Sequence, residues 1–343
     1  MNKILVTGAS GFIGTALCSQ LAPGNKLIGV DVTKALGKSA YIEWEQADLS
    51  GRNSVAAICE KYSPDVVIHC AGIAHQKIGA VSAATYMRVN SEATENLAKA
   101  ASKVNPNVVF IFFSSVSVYG EGRLETGISE YGECRPSSDY AVSKLDAERR
   151  LRAIYDEGKL HNLVILRLAP VYDREWSLNL DRRVFAPGKL AYLRFGPGSQ
   201  RMSALARPNL VEFIDFLIHR FRRLTQINAN ENNIKNNRTR QNNLCNRCNL
   251  RINVCDPEPY EFNRIIQVFK RSGIRPKRPV ISVPLSPVWL GTRIAGSLLT
   301  DKREWIHSCY DKVAGDLVFS NKKMLETGYT PLHNLESIFL MDG

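Results

Sequence analysis

Three glycines between two strand-like runs constrain the fold of this chain more than any other feature of its sequence. The glycines are Gly8, Gly11 and Gly14. The apolar run Lys3–Thr7 precedes them, a stretch with helical periodicity follows to about Leu21, and Lys26–Asp31 forms the second strand-like run. In such a unit the first glycine permits a tight turn, the second lets the backbone approach a pyrophosphate, and the third allows close helix–strand packing. The pattern therefore predicts a dinucleotide-binding turn.

Asp31 closes the second strand of this unit. A carboxylate at this position accepts hydrogen bonds from the hydroxyls of an adenosine ribose and repels a 2′-phosphate. The helix that follows the glycines presents the unpaired N–H groups of its first turn to the phosphates. We therefore predict that the dinucleotide is NAD rather than NADP.

Strand-like and helical segments continue to alternate beyond this unit. Further strands are expected at Tyr41–Glu45, Val66–Cys70, Val108–Phe113 and Leu163–Leu168, and helices at about 53–62, 83–104 and 139–157. Such alternation favours a parallel sheet with helices on both faces and its ligand at the carboxyl edge. The predicted fold class is α/β, a Rossmann-type doubly wound parallel sheet with a smaller, mainly α C-terminal substrate domain. We assign residues 1–170 to an NAD-binding domain, with a return of the chain near 205–225, and residues 171–343 to a substrate-binding domain.

Short motifs follow three of the predicted strands and are expected at the ligand edge. Asp48 and Leu49 come after the third strand, where they can meet the adenine. Ala71 and Gly72 come after the fourth strand, where small residues let a cofactor lie against the backbone. Ser115 ends the fifth strand.

Tyr140 and Lys144 are the candidate proton-transfer pair. Their i, i+4 spacing places both on one face of the predicted helix 139–157. A free phenol has a pKa of about 10 and is a poor base at neutral pH. A neighbouring ammonium and an oxidised nicotinamide ring favour the phenolate and are expected to lower that pKa. The phenolate can then take a proton from a sugar hydroxyl, and Ser115 can form a hydrogen bond with the oxygen of that hydroxyl. Lys144 is also expected to hold the nicotinamide ribose.

Composition excludes several other classes of protein. The 343 residues are 44% hydrophobic and 23% charged, as in a globular protein, and no apolar run reaches the length of a membrane span. The N-terminus lacks a cleavable signal pattern, so the expected compartment is the cytoplasm. Residues 1–150 carry equal numbers of acidic and basic side chains, so the net charge of +12 lies in the second part. That part shows no nucleic-acid-binding module, and its charge fits a diphosphate-bearing substrate or a solvated basic surface.

The eight cysteines are too sparse for a disulfide framework. Cys245 and Cys248 form one CxxC pair, with Cys255 as the nearest third thiol. A structural zinc site needs four ligands, usually as two such pairs. We therefore predict no metal site.

In these motifs the chain resembles the nucleotide-sugar epimerase/dehydratase branch of the extended short-chain dehydrogenase/reductase family. The resemblance is dense to about residue 172 and looser beyond it. Besides the glycine turn, Asp31 and Asp48-Leu49, the matching elements are His69-Cys-Ala-Gly72, Asn90, Ser114-Ser115-Val-Ser-Val-Tyr-Gly120, Tyr140-x-x-x-Lys144 and Arg167-Leu-Ala-Pro-Val-Tyr172. Weaker echoes continue in Asn209-Leu-Val211, Ile252-Asn-Val-Cys-Asp256 and Gly315–Lys322.

The resemblance implies a function and a set of site residues. Ser115, Tyr140 and Lys144 would form the catalytic set, and Tyr140 and Lys144 would also contact the NAD. Further cofactor contacts would come from Phe12, Ile13, Asn90 and Pro170. The substrate would be a nucleoside-diphosphate sugar, with UDP favoured, and the protein would be a homodimer joined by the helices at 83–104 and 139–157.

Reaction type depends on the residues after Ser115. Dehydratases of the family follow the hydroxyl residue with Asp-Glu, whereas this chain has Val116-Ser117, so dehydration is not expected. The favoured reaction is NAD-dependent C4 epimerisation of a UDP-hexose or UDP-N-acetylhexosamine through a transient 4-keto sugar. A 4-keto-sugar reductase or dehydrogenase that makes a deoxysugar nucleotide is the alternative. A sensor that binds NAD without chemistry is a third reading, but the proton-transfer set argues against it.

The substrate half departs most from the family pattern. Arg201 lies near a position that grips the diphosphate, and Arg182 and Arg194 are alternative phosphate partners. The asparagine-rich segment 224–253 is expected to form an irregular surface excursion, with a strand resuming near Ile252. The apolar run Val288–Leu299 is expected to be a buried helix over the sugar site, with contact to a membrane surface as the alternative.

Overall fold

The computed structural model describes residues 2–33, 42–74, 79–120, 127–231, 248–300 and 303–341, without the side chains of residues 223–231, 304 and 305. The chain divides into two compact units. Unit 1 comprises residues 1–118, 138–167 and 211–252, and unit 2 comprises residues 119–137, 168–210 and 253–343. The predicted division into an NAD-binding and a substrate-binding domain stays a prediction about what these parts bind.

A seven-stranded sheet forms the centre of unit 1. Its strands among the described residues are β1 (Lys3–Thr7), β2 (Lys26–Asp31), β3 (Ile42–Gln46), β4 (Val66–His69), β5 (Val109–Ser115), β6 (Asn162–Leu168) and β11 (Cys248–Val254). They lie in the order β11-β6-β5-β4-β1-β2-β3. The pairs β1–β2, β1–β4, β2–β3 and β4–β5 are parallel. The strand order reverses beside β1, which is where doubly wound sheets open a ligand crevice.

Helices cover both faces of this sheet. They are α1 (Phe12–Leu21), α2 (Arg52–Tyr62), α3 (Ala83–Tyr86), α4 (Ala93–Val104), α5 (Asp139–Asp156) and α7 (Arg207–Glu231). The interior strands are buried on both faces, so β5 reads as a continuous apolar run rather than an alternating one. Ser138 caps α5, because its side chain accepts a hydrogen bond from Ala141 N at 3.3 Å. The fold class predicted from the alternating pattern is confirmed.

The helix predicted over 83–104 differs from expectation in its middle. A π-helical stretch, Met87–Glu92, separates α3 from α4. Such wider turns occur mostly at functional sites. The stretch carries Asn90, whose side chain is fully buried.

Unit 2 consists mainly of helices around its own apolar core. Its helices among the described residues are α6 (Leu178–Val184), α8 (Phe262–Arg271), α9 (Leu285–Leu298), α10 (Arg303–Ala314), α11 (Lys322–Glu326) and α12 (Leu335–Phe339). Three two-stranded pairs join β7 (Val171–Tyr172) to β10 (Leu205–Ala206), β8 (Tyr192–Phe195) to β13 (Val280–Val283), and β9 (Arg201–Met202) to β12 (Tyr260–Glu261). The core includes Tyr192, Tyr260, Phe262 and Phe269.

Two expectations for the later part of the chain are wrong. The flanks of the asparagine-rich segment are regular, because α7 continues to Glu231 and β11 begins at Cys248, while residues 232–247, including Cys245, lie outside the described residues. The apolar run Val288–Leu299 is helical but is not buried, since Gly296 is the one buried residue of α9. Among the described residues, no helix combines the length and apolar character needed to cross a membrane.

Candidate active site

The glycine turn between β1 and α1 has the geometry that its sequence predicts. Gly8 has a φ of +66°, and a Cβ there would stand 2.8 Å from Ala71 N. A Cβ on Gly14 would stand 2.1 Å from Gly8 O, which no side chain can satisfy. Gly11 N donates to Gly8 O at 3.0 Å and closes the turn. Gly11 is also the N-cap of α1 and provides no side-chain cap, so the first-turn N–H groups of α1 are left for a ligand.

Asp31 connects this turn to the end of β2. Its Oδ2 accepts from Ser10 N at 3.0 Å, and its Oδ1 accepts from Thr33 N and Thr33 Oγ1, each at 3.1 Å. A carboxylate has about four acceptor sites, so one remains for a ribose hydroxyl. Asp31 therefore both fixes the loop and retains acceptor capacity.

The other predicted contacts at the ligand edge differ in their exposure. Asp48 is exposed, and a hydrogen bond from Ser50 N at 2.9 Å helps to lower its carboxyl pKa. Leu49 is 8% exposed and packs into the core of unit 1. Gly72 is exposed, and a Cβ there would stand 2.9 Å from Asn90 Oδ1 and 3.3 Å from Lys144 Nζ. Glycine at position 72 thus brings Asn90 and Lys144 against the backbone.

Asn90 holds three segments together by its side-chain amide. Its Oδ1 accepts from Ile73 N at 2.7 Å, and its Nδ2 donates to Ile73 O and to Ser143 Oγ, each at 3.1 Å. The amide fixes the chain after β4 and also reaches α5, which carries Tyr140 and Lys144. The π-helical stretch supports this arrangement, because it places Asn90 fully inside unit 1.

His69 contributes to the site in a way that the sequence analysis did not predict. Its ring is 1% exposed, and burial lowers its pKa to about 3, so the imidazole is neutral. Nδ1 lies 2.7 Å from Thr7 Oγ1, and Nε2 lies 2.8 Å from Thr94 Oγ1. Thr94 donates to Asn90 O at 2.7 Å, so it accepts from Nε2–H, and Thr7 donates to Nδ1. In the sequence, the one sign of these hydrogen bonds is that a histidine ends the otherwise apolar strand β4.

Ser115 ends β5 and receives two hydrogen bonds from Ser117. Ser117 N donates to Ser115 Oγ at 3.2 Å, and Ser117 Oγ donates to it at 2.9 Å. With its acceptor sites engaged, the Ser115 hydroxyl is directed to donate. A hydrogen bond between Ser115 and the Tyr140 hydroxyl lowers the pKa of Tyr140. The structure thus brings Ser115 and Tyr140 together.

The pKa of Tyr140 depends on the burial of its phenol and on two neighbouring side chains. Burial raises this pKa above its ordinary value, the bond from Ser115 opposes the change, and the neighbouring Tyr86 adds to it. The rings of Tyr86 and Tyr140 meet edge to face with their centroids 6.5 Å apart. In the protein alone, desolvation of the phenolate thus outweighs the favourable contacts, and the lowering expected from Lys144 together with an oxidised nicotinamide ring stays a prediction.

Lys144 is 5% exposed beneath the same edge of the sheet. Its Nζ donates to Phe113 O at 2.9 Å and lies 4.8 Å from the centre of the Phe112 ring. Burial lowers its pKa to about 8, while Cys70 and Glu148 oppose this change. The ammonium is anchored to β5 and lies one helical turn from Tyr140 on α5.

A buried ion pair between Glu148 and Arg167 holds the middle of α5 against the sheet. Arg167 Nε and Nη2 donate to the two oxygens of Glu148 at 2.9 and 2.6 Å, and Ser114 Oγ donates to Glu148 Oε1 at 2.5 Å. Arg167 is fully buried and Glu148 is 4% exposed. The cluster ties α5 to β5 and β6, and so fixes the register of Tyr140 and Lys144 against Ser115.

The predicted substrate arginines lie on separate elements of unit 2. Arg201 on β9 is engaged by Asp316, with Nε–Oδ2 and Nη2–Oδ2 distances of 3.1 and 2.9 Å. Arg194 on β8 donates to Ser282 Oγ at 2.6 Å, and Arg182 on α6 is exposed. Pro170 accepts from Leu205 N through its carbonyl oxygen at 3.0 Å. These positions do not select one arginine as the phosphate ligand.

The residues at the carboxyl edge of unit 1 fit a dinucleotide. Ser10 Oγ in the glycine turn is buried and has no hydrogen-bond partner among the described residues. Side chains at Gly8 and Gly14 would fill the turn, and Asp31 retains acceptor capacity beside it. Ser10, the first turn of α1 with Phe12 and Ile13, and Asp31 would therefore hold a pyrophosphate and a ribose. Among the described residues, no group of three acidic, histidine or cysteine side chains could bind a metal ion.

Sequence comparison relates the chain to sugar-nucleotide enzymes. The family model described as "NAD dependent epimerase/dehydratase family" matches residues 4–228. UDP-glucose 4-epimerase of Vibrio cholerae is 31% identical over 219 residues, which are 62% of this chain and 65% of the relative. dTDP-glucose 4,6-dehydratase of Haemophilus influenzae is 31% identical over 173 residues, which are 45% and 51% of the two chains. The chain thus spans between half and two thirds of the length of these curated relatives.

Solved structures share the fold over nearly the whole chain. UDP-glucuronic acid 4-epimerase from Bacillus cereus, solved with NAD, has a TM-score of 0.68 at 19% identity and covers 98% of this chain and 96% of its own. UDP-glucose 4-epimerase from Thermotoga maritima, solved with UDP-glucose, gives the same four values. At this level of identity the likeness establishes the fold.

Proposed function

The chain belongs to the NAD dependent epimerase/dehydratase family, and on this premise we propose that it epimerises a nucleoside-diphosphate sugar. Membership confirms the resemblance predicted from the motifs. The proposed substrate is a UDP-hexose or a UDP-N-acetylhexosamine, and the proposed reaction inverts C4 through a transient 4-keto sugar. The observation that carries the proposal is the placing of Ser115, at the end of β5, close enough to Tyr140 to lower the pKa of its phenol, with Lys144 one turn further along α5.

Each residue of this set has a part in moving one proton. Tyr140 takes the proton of the sugar hydroxyl as the carbinol carbon is oxidised, and returns it when the carbon is reduced from its other face. Ser115 donates a hydrogen bond to the same sugar oxygen and is held in place by Ser117. Lys144, anchored on Phe113 O, supplies positive charge near the phenol and holds the nicotinamide ribose.

NAD is the proposed cofactor. When bound, its oxidised form supplies a hydride acceptor and a positive charge near the phenol. The glycine turn, Ser10, Asp31, Asp48, Ala71, Gly72 and Asn90 would line its binding site. The positive charge of the oxidised cofactor matters because burial alone raises the pKa of Tyr140. The acceptor capacity left on Asp31 supports NAD rather than its 2′-phosphorylated form.

The residues after Ser115 support epimerisation or simple redox chemistry over loss of water. Val116 and Ser117 occupy the positions where dehydratases carry an acid pair, and Ser117 instead supports Ser115. A 4-keto-sugar reductase or dehydrogenase uses the same proton-transfer set and remains the alternative reaction. It differs in releasing its cofactor after each turnover.

Two further proposals concern how the substrate is bound and how the chains assemble. We propose that unit 2 contributes the binding of the nucleoside diphosphate, with Arg201, Arg182 and Arg194 as candidate phosphate ligands. We also propose a homodimer joined by the segment 83–104 and α5. Both follow from the resemblance that the motifs carry.

The decisive experiment measures cofactor retention and product together. The purified protein is denatured and the supernatant is assayed for released NAD. The native protein is then incubated with UDP-glucose and with UDP-N-acetylglucosamine without added cofactor, and the products are identified by NMR. Retained NAD with conversion to the C4 epimers is the expected result, whereas stoichiometric NAD(P)H consumption on a 4-keto sugar would identify the reductase.

Variants separate catalysis from binding. Tyr140→Phe is expected to retain NAD and to lose at least about a hundredfold in kcat, because the proton acceptor is removed. Tyr131→Phe is the matched control, since that side chain is 84% exposed and should leave kcat unchanged. Unchanged turnover in Tyr140→Phe would overturn the catalytic assignment and leave NAD binding alone.

A further inference from the structure

One side of helix α9 carries a row of uncovered apolar side chains. Leu290, Ile294 and Leu298 follow each other at intervals of four residues and are 54%, 52% and 77% exposed. Trp289, which is 45% exposed, lies beside them, and Arg293 stacks over its ring with Cζ 4.9 Å from the centroid. We call these five residues the α9 face. Contiguous exposed apolar side chains of this kind mark interaction surfaces.

Cationic side chains border the α9 face. Helix α10 approaches α9 at Gly296, where a Cβ would stand 3.3 Å from His307 Nε2 and 3.4 Å from Arg303 Cγ. The two helices enclose an open groove of about 580 Å³ whose lining includes Trp289, Ile294, Arg293, Arg303 and His307. Apolar walls with two guanidinium groups match a ligand that has both hydrocarbon and phosphate.

The sequence that leads up to α9 and includes it has charge of one sign. Residues 262–300 contain seven lysines and arginines and no aspartate or glutamate. Lys277 and Arg278, just before β13, are both exposed, and so is Ile281 on that strand, at 51%. An exposed apolar strip within an acid-free segment is complementary to a negatively charged, partly apolar surface.

Helix dimensions and charge narrow the choice of occupant. The 14 residues of α9 span about 21 Å, too short to cross a bilayer but typical of helices that lie in its interface. Such helices combine Trp and Leu on one side with Lys and Arg beside them. A second copy of the chain paired through the same face would set Arg293 and Arg303 against their own counterparts, which like charges oppose.

We propose that the α9 face is a docking surface for an anionic lipid bilayer. Leu290, Ile294 and Leu298 enter the acyl boundary, Trp289 lies at the headgroup level, and Arg293 and Arg303 bind lipid phosphates. The surface belongs to unit 2 and uses none of the residues assigned above to proton transfer or to NAD. Its test is therefore independent of the proposed reaction.

The binding test uses the full chain and two kinds of vesicle. Vesicles of phosphatidylglycerol and phosphatidylcholine in equal amounts are expected to sediment the protein, and vesicles of phosphatidylcholine alone are not. Raising the salt concentration should release it, because screening weakens the arginine contacts. The fluorescence of Trp289 should shift to shorter wavelength on the anionic vesicles, and Trp289→Phe should remove this shift.

Substitutions on the α9 face provide the second measurement. The triple variant Leu290→Gln, Ile294→Gln, Leu298→Gln and the double variant Arg293→Gln, Arg303→Gln should each bind at least about tenfold more weakly. The matched control is Leu190→Gln with Leu332→Gln, side chains that are 71% and 75% exposed elsewhere in unit 2. All three proteins should retain wild-type UDP-sugar turnover and thermal midpoints.

Three results would overturn the proposal. They are wild-type protein that stays in solution with the anionic vesicles, a triple variant that binds them as tightly as wild type, and an α9 face that instead joins two copies. The last would appear as a wild-type dimer in light scattering that the triple variant abolishes, without vesicle binding. If the triple variant does not fold, the salt dependence and the Trp289 signal of the wild-type protein still decide.

Discussion

At the scale of single residues, burial shifts the pKa values of the side chains proposed to transfer protons. Burial raises the pKa of Tyr140 and lowers that of Lys144 to about 8, so the two pKa values move apart and reverse their ordinary order. The bond from Ser115 opposes the rise at Tyr140. In the protein alone the phenol keeps its proton, and a further positive charge near it is needed to favour the phenolate. The proposed chemistry therefore depends on the cofactor as much as on the neighbouring lysine.

Gly14→Ala tests the close approach at the glycine turn. A methyl group there would stand 2.1 Å from Gly8 O, so either α1 or the turn must move. We expect a loss of about 2 kcal/mol or more in the free energy of unfolding and weaker NAD retention. Urea denaturation and NAD released per protomer measure both.

Gly291→Ala is the control for this substitution. That glycine lies in a helix and has open space around its Cβ position, so alanine should be neutral or slightly stabilising. Equal effects of the two substitutions would contradict the steric argument.

His69 predicts a dependence of stability on pH. Its pKa is about 3 in the fold and about 6.5 in an unfolded chain, so between these values the unfolded chain binds the extra proton. Stability from this residue is complete above pH 6.5 and falls as the pH falls, by about 2 kcal/mol between pH 7 and pH 5. Urea midpoints over this range should therefore fall further for the wild-type protein than for His69→Gln. Parallel pH curves for the two proteins would refute the buried neutral histidine.

At the scale of elements, the site is a junction of four strand ends with two helices. The glycine turn follows β1, and Asp31, His69 and Ser115 are the last residues of β2, β4 and β5. The π-helical stretch and α5 bring Asn90 and the Tyr140–Lys144 pair to the same edge. Sequence periodicity predicted each strand and helix of this junction. It did not predict the wider turn in the 83–104 helix, because that turn is stabilised by bonds from Asn90 to distant segments.

The Glu148–Arg167 pair tests how α5 is held on the sheet. Glu148→Gln leaves a buried guanidinium without its carboxylate, so unfolding should become easier by about 3 to 5 kcal/mol. Chemical denaturation measures this change. Asp156→Asn is the control on the same helix, because its pair with Arg152 is exposed and should change stability by less than about 1 kcal/mol. A small effect at Glu148 would mean that α5 is held by apolar packing alone.

At the scale of the whole molecule, each unit has its own apolar core. The core of unit 1 surrounds β1, β2, β4 and β5, and that of unit 2 surrounds α8 and α12. The net charge of +12 lies entirely beyond residue 150, and the acid-free segment 262–300 belongs to that part. Exposed apolar side chains of unit 2 gather on α9 within this segment.

The proposed homodimer is tested by mass. Val142 is 41% exposed and lies on α5, one of the two segments proposed to form the dimer contact. Light scattering should give twice the chain mass for the wild-type protein and the chain mass for Val142→Arg, because the charge cannot be buried in an apolar contact. Leu190→Arg in unit 2 should leave the dimer intact. A wild-type monomer would exclude the proposed assembly.

Some properties of this chain depend on local sequence alone. The glycine spacing, the acid at the end of β2, the alternation of strands and helices and the Tyr140–Lys144 interval each act over a few residues. The fold class and the position of Tyr140 and Lys144 on one helix could therefore be predicted, and the catalytic role of the pair stays a proposal. The tertiary structure decided what depends on distant partners. Burial shifted the pKa values of Tyr140, Lys144 and His69. Segments distant in sequence bind Asn90 in the π-helical stretch, and no other described element covers the apolar side chains of the α9 face. Periodicity reports that a side chain is apolar, but only the packing of the other elements decides whether water can reach it.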